Sequence, residues 1–274
     1  MSLVMLTLAL CLPAASPEGN GVEIVAHRGA SYDAPENTVS SVKLAWEQQA
    51  DASEFDVYLS KDGKIVVLHD ANLKRTAGVD RKVTELTAAE LHALDAGKWK
   101  NERFIGEPVP TLDEVLATVP AGKRVFIEVK CGPEIVPELD RVLKATPLKP
   151  EQIAIISFSA DVVAASKKAR PDLKAFWIVS IKPKDGQKPA TAESLIERSK
   201  TIQADGLDLS ATREVLTPEF GRKVKDAGLE LYVWTVNDAD LARAMIAAGA
   251  QGITTDRPGW LREQLQSAKP VESR

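Results

Sequence analysis

Four apolar runs of this chain carry groups that could do chemistry. His27-Arg28 follows the first, Glu54 and Asp56 lie within the second, His69-Asp70 ends the third, and Glu128 and Lys130 close the fourth. Residues two apart on a strand point to one face, so Glu54 sides with Asp56 and Glu128 with Lys130. Three converging carboxylates repel one another unless a cation or several basic groups sit among them. Carboxylate oxygens without thiolates are hard donors, which suits one divalent cation, Ca²⁺ or Mg²⁺. Two histidines beside them could trade protons near neutral pH. Arg28 and Lys130 offer fixed positive charge to a phosphate. Each piece has a plainer reading taken alone: Glu-x-Asp is ordinarily a solvated strand face, and a histidine after a strand is ordinarily a cap. The set is harder to dismiss, because the chain holds only 3 histidines and two of them end apolar strands. The third, His92, lacks that setting and reads as a surface residue.

The elements that must position these groups alternate. Strand patterns fall at Val22–Ala26, Ser53–Val57, Arg124–Val129, Ile153–Ser157, Ala175–Val179, Ala204–Leu207, Leu231–Thr235 and Gly252–Thr255. Helical periodicity occupies Asn37–Gln49, Thr111–Val119, Glu134–Lys144, Ala160–Ala169, Ala192–Ser199, Pro218–Ala227, Asp238–Ala248 and Pro258–Gln266. Strand then helix, repeated around the chain, predicts an α/β fold, a (β/α)8 TIM barrel whose functional groups gather at the C-terminal strand ends. A doubly wound open sheet would want a Gly-rich phosphate turn after the first strand, and His27-Arg28-Gly29-Ala30-Ser31 is not one.

One segment interrupts the repeat. Glu54–Leu59, Ser60-Lys61-Asp62-Gly63 and Lys64–His69 read as a β-hairpin, since Asp-Gly suits tight turns. A turn centred near Lys61-Asp62 would set Glu54 opposite His69. The polar stretch 70–110, with one weak helix at Thr87–Leu94, reads as a short insertion after the second barrel strand, too small for its own domain.

Composition bounds the rest. The 274 residues carry a net charge of −4, with 44% apolar and 27% charged side chains, ordinary for a globular protein. The mildly acidic balance offers no basic face for nucleic acid. Residues 21–268 make one domain. Before it, Leu3–Leu12 is an apolar run followed by Pro13-Ala14-Ala15-Ser16, too short to span a bilayer but fit for a signal peptide over residues 1–16. Export to a periplasmic or secreted setting is therefore expected, although no Lys or Arg precedes the run. Leu10, where a lipoprotein signal wants a small residue, argues against a lipid anchor at Cys11. Cleavage would leave Cys131 without a disulfide partner.

His27-Arg28-Gly29 followed by Ala34-Pro35-Glu36-Asn37-Thr38 closely resembles the glycerophosphodiester phosphodiesterase family. The likeness continues through Glu54-Phe55-Asp56-Val57, Val67-Leu68-His69-Asp70, Pro110-Thr111-Leu112, Ile127-Glu128-Val129-Lys130, Ser157-Phe158, Tyr232-Val233-Trp234-Thr235-Val236-Asn237 and Thr254-Thr255-Asp256-Arg257-Pro258. The resemblance implies hydrolysis of a small glycerophosphodiester to sn-glycerol 3-phosphate and an alcohol. It implies His27 and His69 as the acid–base pair, and Glu54, Asp56 and Glu128 as ligands of the cation. Arg28 and Lys130 would contact the phosphate, Trp234 would pack on the glycerol carbons, and Glu36 would orient the region of Arg28 and His27. The nearest rival is a lysophospholipase D-like enzyme, which should surround its mouth with exposed aromatics. A non-catalytic exported binding barrel should have lost a histidine or a carboxylate, and none is missing.

Overall fold

The computed structural model describes residues 21–182 and 189–267. The apolar run Leu3–Leu12 lies outside them. Nine strands occur among these residues: β1 (Glu23–Ala26), β2 (Ala52–Leu59), β3 (Ile65–Val67), β4 (Arg124–Val129), β5 (Ile153–Ser157), β6 (Lys174–Val179), β7 (Gly206–Ser210), β8 (Glu230–Trp234) and β9 (Gly252–Thr255). Eight of them pair in parallel in the order β1-β9-β8-β7-β6-β5-β4-β2, and β1 pairs with β2 to close the ring. This is the (β/α)8 barrel that the alternation predicted, with helices in the crossovers.

Alternation along each strand sorts the side chains. Val25, Phe126, Ile156, Phe176, Ile178 and Tyr232 fill the barrel interior, while their neighbours in sequence face the surrounding helices. Gly206 and Gly252 make room for that interior. A Cβ on Gly252 would run into the Tyr232 ring, and one on Gly206 would approach the Phe176 ring and the Glu230 carbonyl.

β2 outruns its barrel neighbour. Val25 and Ala26 of β1 pair with Ala52 and Ser53, and the same edge farther on is taken by β3, which pairs antiparallel with Val57, Tyr58 and Leu59. The hairpin is therefore present, but its register corrects the expectation. Val57 lies opposite Val67 and Leu59 opposite Ile65, one residue away from the pairing that would set Glu54 against His69. The loop is closed by the Ser60 amide donating to the Lys64 carbonyl (2.8 Å), with the Ser60 hydroxyl accepting from the Lys64 amide (3.0 Å). That pairing of 60 with 64 fixes the register. The insertion after the hairpin packs Leu73, Val83, Leu86, Leu91 and Val109 on Val66 and Leu68, a satellite core continuous with β3. His92 in its helix Ala88–His92 is exposed, as expected.

Of the element boundaries that differ from the expected ranges, two bear on the polar groups. The first helix runs Val39–Glu47, capped by Thr38, and leaves Asn37 outside it at φ 59°. β7 begins and ends later than the pattern suggested, which brings Asp208 into the barrel wall.

Candidate active site

The turn after β1 is forced by its glycine. Arg28 and Gly29 both take positive φ, 55° and 81°, and a Cβ on Gly29 would lie 2.5 Å from Ser41 Oγ. Only glycine fits there, and the turn points the Arg28 amide into the barrel, where it donates to Glu54 Oε2 (2.9 Å). The guanidinium then meets Glu36 Oε1 through Nη1 (2.8 Å) and approaches Asp56 Oδ2 through Nε (3.3 Å).

Glu54, Asp56 and Glu128 converge as their strands dictate. One carboxylate oxygen from each lies within 4.8 Å of the others, and all three side chains are buried. Asp56 stands beside Glu128 in the β2–β4 register. Asp56 is held from behind by Asn37, whose Nδ2 donates to Oδ2 (2.7 Å) and whose Oδ1 accepts from the Asp56 amide (3.0 Å). Lys130 Nζ reaches Glu128 Oε1 (2.7 Å) and Asp56 Oδ1 (3.3 Å). Glu54 Oε1 is buried and has no hydrogen-bond partner among the described residues.

The electrostatics of this cluster are unbalanced. Burial first, then the charges of Asp56 and Glu128, push the Glu54 carboxyl well above its usual range. Burial and Asp56 push Glu128 up to about 7. Burial works on Asp56 too, but Lys130 and Arg28 outweigh it and hold Asp56 low. Three carboxylates thus face two fixed cations. A divalent cation turns that deficit of one charge into an excess of one, which a phosphodiester monoanion cancels. The hard oxygen set and the orphaned Glu54 Oε1 fit such an ion.

Each histidine is backed by a carboxylate. His27 Nδ1 lies 2.6 Å from Asp256 Oδ1, and His69 Nδ1 lies 2.7 Å from Asp70 Oδ1. Asp256 is further tied by Ser31 Oγ (3.1 Å) and Asn237 Nδ2 (2.5 Å). Burial opposes its ionisation, but the bond from His27 prevails and Asp256 is held down to about 2. Asp70 is likewise held low, where Arg75 and His69 outweigh burial. Both carboxylates are ionised and can only accept, so each Nδ1 carries a proton. In its neutral form each ring then keeps Nε2 as its free acceptor. Burial lowers His69, with the Asp56 charge pulling the other way.

Both histidines line one pocket of about 150 Å³ together with Arg28, Glu54, Glu128 and Lys130. Its remaining wall is Ile156, Phe158, Ile178, Asp208, Trp234, Thr235 and Thr254. Trp234 donates its ring N–H to the Asp208 carbonyl (3.1 Å) and meets the Phe158 ring edge-on, with centroids 5.5 Å apart. Of the residues singled out from sequence, Glu36 stands apart from this pocket. It ties Arg28 to Arg75 of the insertion, whose guanidinium meets it at 2.7 and 2.8 Å, and it makes no bond to His27. Asp256 does that work. Asp256, Asp70, Asn37, Phe158 and Asp208 were given no role on sequence alone. A carboxylate directly after a histidine, or after the last barrel strand, is the one signal that could have drawn attention to the first two.

A closed barrel with a buried carboxylate trio, two fixed cations and two carboxylate-backed histidines at one mouth defines a phosphate-handling hydrolase site. Residues 27–260 match the family model of the glycerophosphoryl diester phosphodiesterase family, and the chain belongs to that family. A glycerophosphodiester phosphodiesterase of Caldanaerobacter subterraneus subsp. tengcongensis is 34% identical over 243 residues, spanning 86% of this chain and 94% of the relative. One from Bacillus subtilis is 32% identical, spanning 94% and 93%. Among solved structures, an Oleispira antarctica phosphodiesterase in complex with the product sn-glycerol-3-phosphate superposes with a TM-score of 0.81 at 29% identity, covering 89% of this chain and 97% of the other.

Proposed function

We propose that this chain hydrolyses glycerophosphodiesters to sn-glycerol 3-phosphate and an alcohol, with His27 and His69 as acid and base beside a cation, Ca²⁺ or Mg²⁺, held by Glu54, Asp56 and Glu128. The observation that carries this reading is the convergence on one pocket of both carboxylate-backed histidines with Glu54 and Glu128, behind which Asp56 completes the carboxylate trio. The cation, when bound, supplies charge that offsets what builds on the phosphoryl oxygens. Arg28 and Lys130 hold the phosphate, and Trp234 with Ile156 and Ile178 packs on the glycerol carbons. One histidine takes the proton of the attacking oxygen as its bond to phosphorus forms. The other gives a proton to the alcohol oxygen as that bond breaks. Asp256 and Asp70 fix both rings and stabilise whichever becomes positive.

A second cleft of about 300 Å³ shares His27 and Arg28 with the first and is lined by Tyr32, Trp99 and Lys100. Its aromatics are exposed, as a lysophospholipase D-like enzyme would want. Each, however, already carries a cation on its face: Arg257 over Tyr32 at 4.3 Å, and Lys100 and Arg75 over Trp99 at 5.7 and 5.9 Å. That surface suits a small polar leaving group better than an acyl chain. No described helix is long and apolar enough to cross a membrane.

Glycerol 3-phosphate release should be measured from several glycerophosphodiesters and from a lysophospholipid, after chelation and with Ca²⁺ or Mg²⁺ restored. The reading expects activity on the small diesters, abolished by chelation and restored by metal, and sharply reduced in Glu128→Gln. Full activity after verified metal removal would overturn the cation's role. We also propose an exported setting, supported by the run Leu3–Leu12 and checked by a mature N-terminus between Ala15 and Gly19.

A further inference from the structure

Asp208 sits inside the pocket but outside the cation cluster. Its side chain is 3% exposed, and Oδ1 is buried without a hydrogen-bond partner among the described residues. Glu54, Asp56 and Glu128 are the three that converge; Asp208 is not among them. The ring order explains why. β7 is four strands from β2 in either direction around the closed sheet, so Asp208 faces the carboxylate trio from the opposite wall. Its register neighbours are Ile178 on β6 and Tyr232 on β8, and the pocket surface beside it is Ile156, Ile178 and Trp234. An acid in such apolar company is costly to keep without a partner, and nearly all buried polar groups have one. Here the open side is the pocket, so the partner must come with the ligand.

The pocket, at about 150 Å³, is smaller than the ~300 Å³ at which drug-sized sites begin. It presents carbon surface from Ile156, Ile178 and Trp234 with the Asp208 carboxyl set in it, and Thr235 and Thr254 complete the lining. Small carbon skeletons bearing a hydroxyl match that pattern. We infer that Asp208 is a specificity-determining residue that binds the hydroxyl of the glycerol unit farthest from phosphorus, so that a free glycerol end is selected over one lacking or masking that hydroxyl. The inference rests on the phosphodiesterase reading above and deepens it. Arg28 and Lys130 follow β1 and β4, on either side of β2, so a diester whose phosphate lies on them extends its glycerol carbons toward β7. Burial, and then Glu128, push the Asp208 carboxyl well up. A hydroxyl can accept from the acid or donate to the carboxylate, so either form serves.

The test pairs a glycerophosphodiester with the matching diester of propane-1,2-diol, which lacks only the terminal hydroxyl, on metal-loaded wild type, Asp208→Asn and Asp208→Leu. Wild type should prefer the glycerol diester by on the order of 10²-fold in kcat/KM, because a site built for a hydroxyl rejects its absence. Asp208→Leu should lose that factor on the glycerol diester alone, bringing the ratio near one. Asp208→Asn, which can still bond a hydroxyl, should keep most of the preference. Asp208→Ala carries the same comparison if Leu does not fold. By calorimetry, glycerol 3-phosphate should bind more weakly to Asp208→Leu, while propanediol phosphate and the metal bind as to wild type. Equal loss on both diesters, or a loss of metal affinity, would overturn the inference while leaving the phosphodiesterase reading intact. A wild type that cleaves neither diester would instead overturn that reading, and this inference with it.

Discussion

At the N-terminal end of the barrel, the half-buried carboxylate of Glu23 lies 2.7 Å from Arg124 Nη1 and 2.6 Å from the Tyr232 hydroxyl, which also accepts from Arg124 (3.0 Å). Burial raises the Glu23 pKa even so, with Arg124 and Tyr232 pulling it back. At the C-terminal end, Glu54 Oε1 and Asp208 Oδ1 are buried with no partner among the described residues, and the Glu54 carboxyl is raised by burial and then by Asp56 and Glu128, the Glu128 carboxyl by burial and then by Asp56. One end closes its carboxylate's bonds within the chain, with Arg124 Nε the plug's one buried atom left without a partner among the described residues, and acts as a plug. The other leaves them open on the pocket side, and the missing partners are the kinds a cation and a hydroxylated phosphodiester bring. Unpartnered carboxylate oxygens facing the pocket, more than burial or charge alone, separate the site from the plug here.

The sharpest way to break this contrast is at the histidines. A positioned acid or base contributes ~10²–10⁴-fold, so His27→Ala and His69→Ala should each lose at least that much turnover while unfolding like wild type. The double variant should be little worse than either single one, since both act in one step. A diester with a nitrophenol leaving group needs no proton on departure, so it should rescue only the variant that has lost the acid. Near wild-type turnover in either folded single variant would remove both from the chemistry.

Much of this could be read before the fold was known. The eight strands and the three carboxylates follow from period-2 patterning and from polar residues intruding on apolar runs. The lapses share a cause, which is that side-chain partnership depends on backbone detail. A turn one residue longer shifted the hairpin register away from Glu54 and His69. Gly206-Leu207-Asp208-Leu209-Ser210 reads weakly as a strand because Gly, Asp and Ser are poor strand formers, and this concealed Asp208. Asn37 matters only because its positive φ turns it out of the helix and onto Asp56. Asp256 is 229 residues from His27 and meets it only once the ring closes β9 against β1.

A second, smaller effect separates the two ends by pH. In the metal-free protein Glu128 is raised from its ordinary value of 4.5 to about 7, by burial first and then by Asp56. A carboxyl raised on folding contributes stability that is fully present below its unfolded value and is lost as pH rises through the folded one. Glu128→Gln cannot ionise. In chelator, wild type should therefore lose about 3 kcal/mol relative to that variant between pH 4.5 and 8. Restoring Ca²⁺ or Mg²⁺ should raise the wild-type Tm more at pH 8 than at pH 5, because metal and protons compete for the same oxygens. Denaturation across that range, with and without metal, reads both. A gap between wild type and variant that does not change with pH would mean the cluster is as settled as the plug.

The smallest effect tests whether the ends are independent. Tyr232 belongs to both stories: its hydroxyl completes the plug, and its ring lies 5.0 Å from Phe126 and 5.1 Å from Phe176 in the layer between plug and pocket. Tyr232→Phe removes the hydroxyl and keeps the ring. Glu23 retains Arg124 at 2.7 Å, so no buried charge is stranded. The cost should be about 1.5–3 kcal/mol, the worth of hydrogen bonds to charged groups. If the aromatic layer insulates the pocket, kcat/KM should stay within about twofold of wild type, since the catalytic pair loses no contact of the kind worth ~10²–10⁴-fold. The two readouts must separate, with stability falling and turnover unchanged. A parallel drop in turnover in the folded variant would show that the plug's hydrogen bonds set the geometry of the mouth through Phe126 and Phe176, and the two ends would then have to be treated as one network.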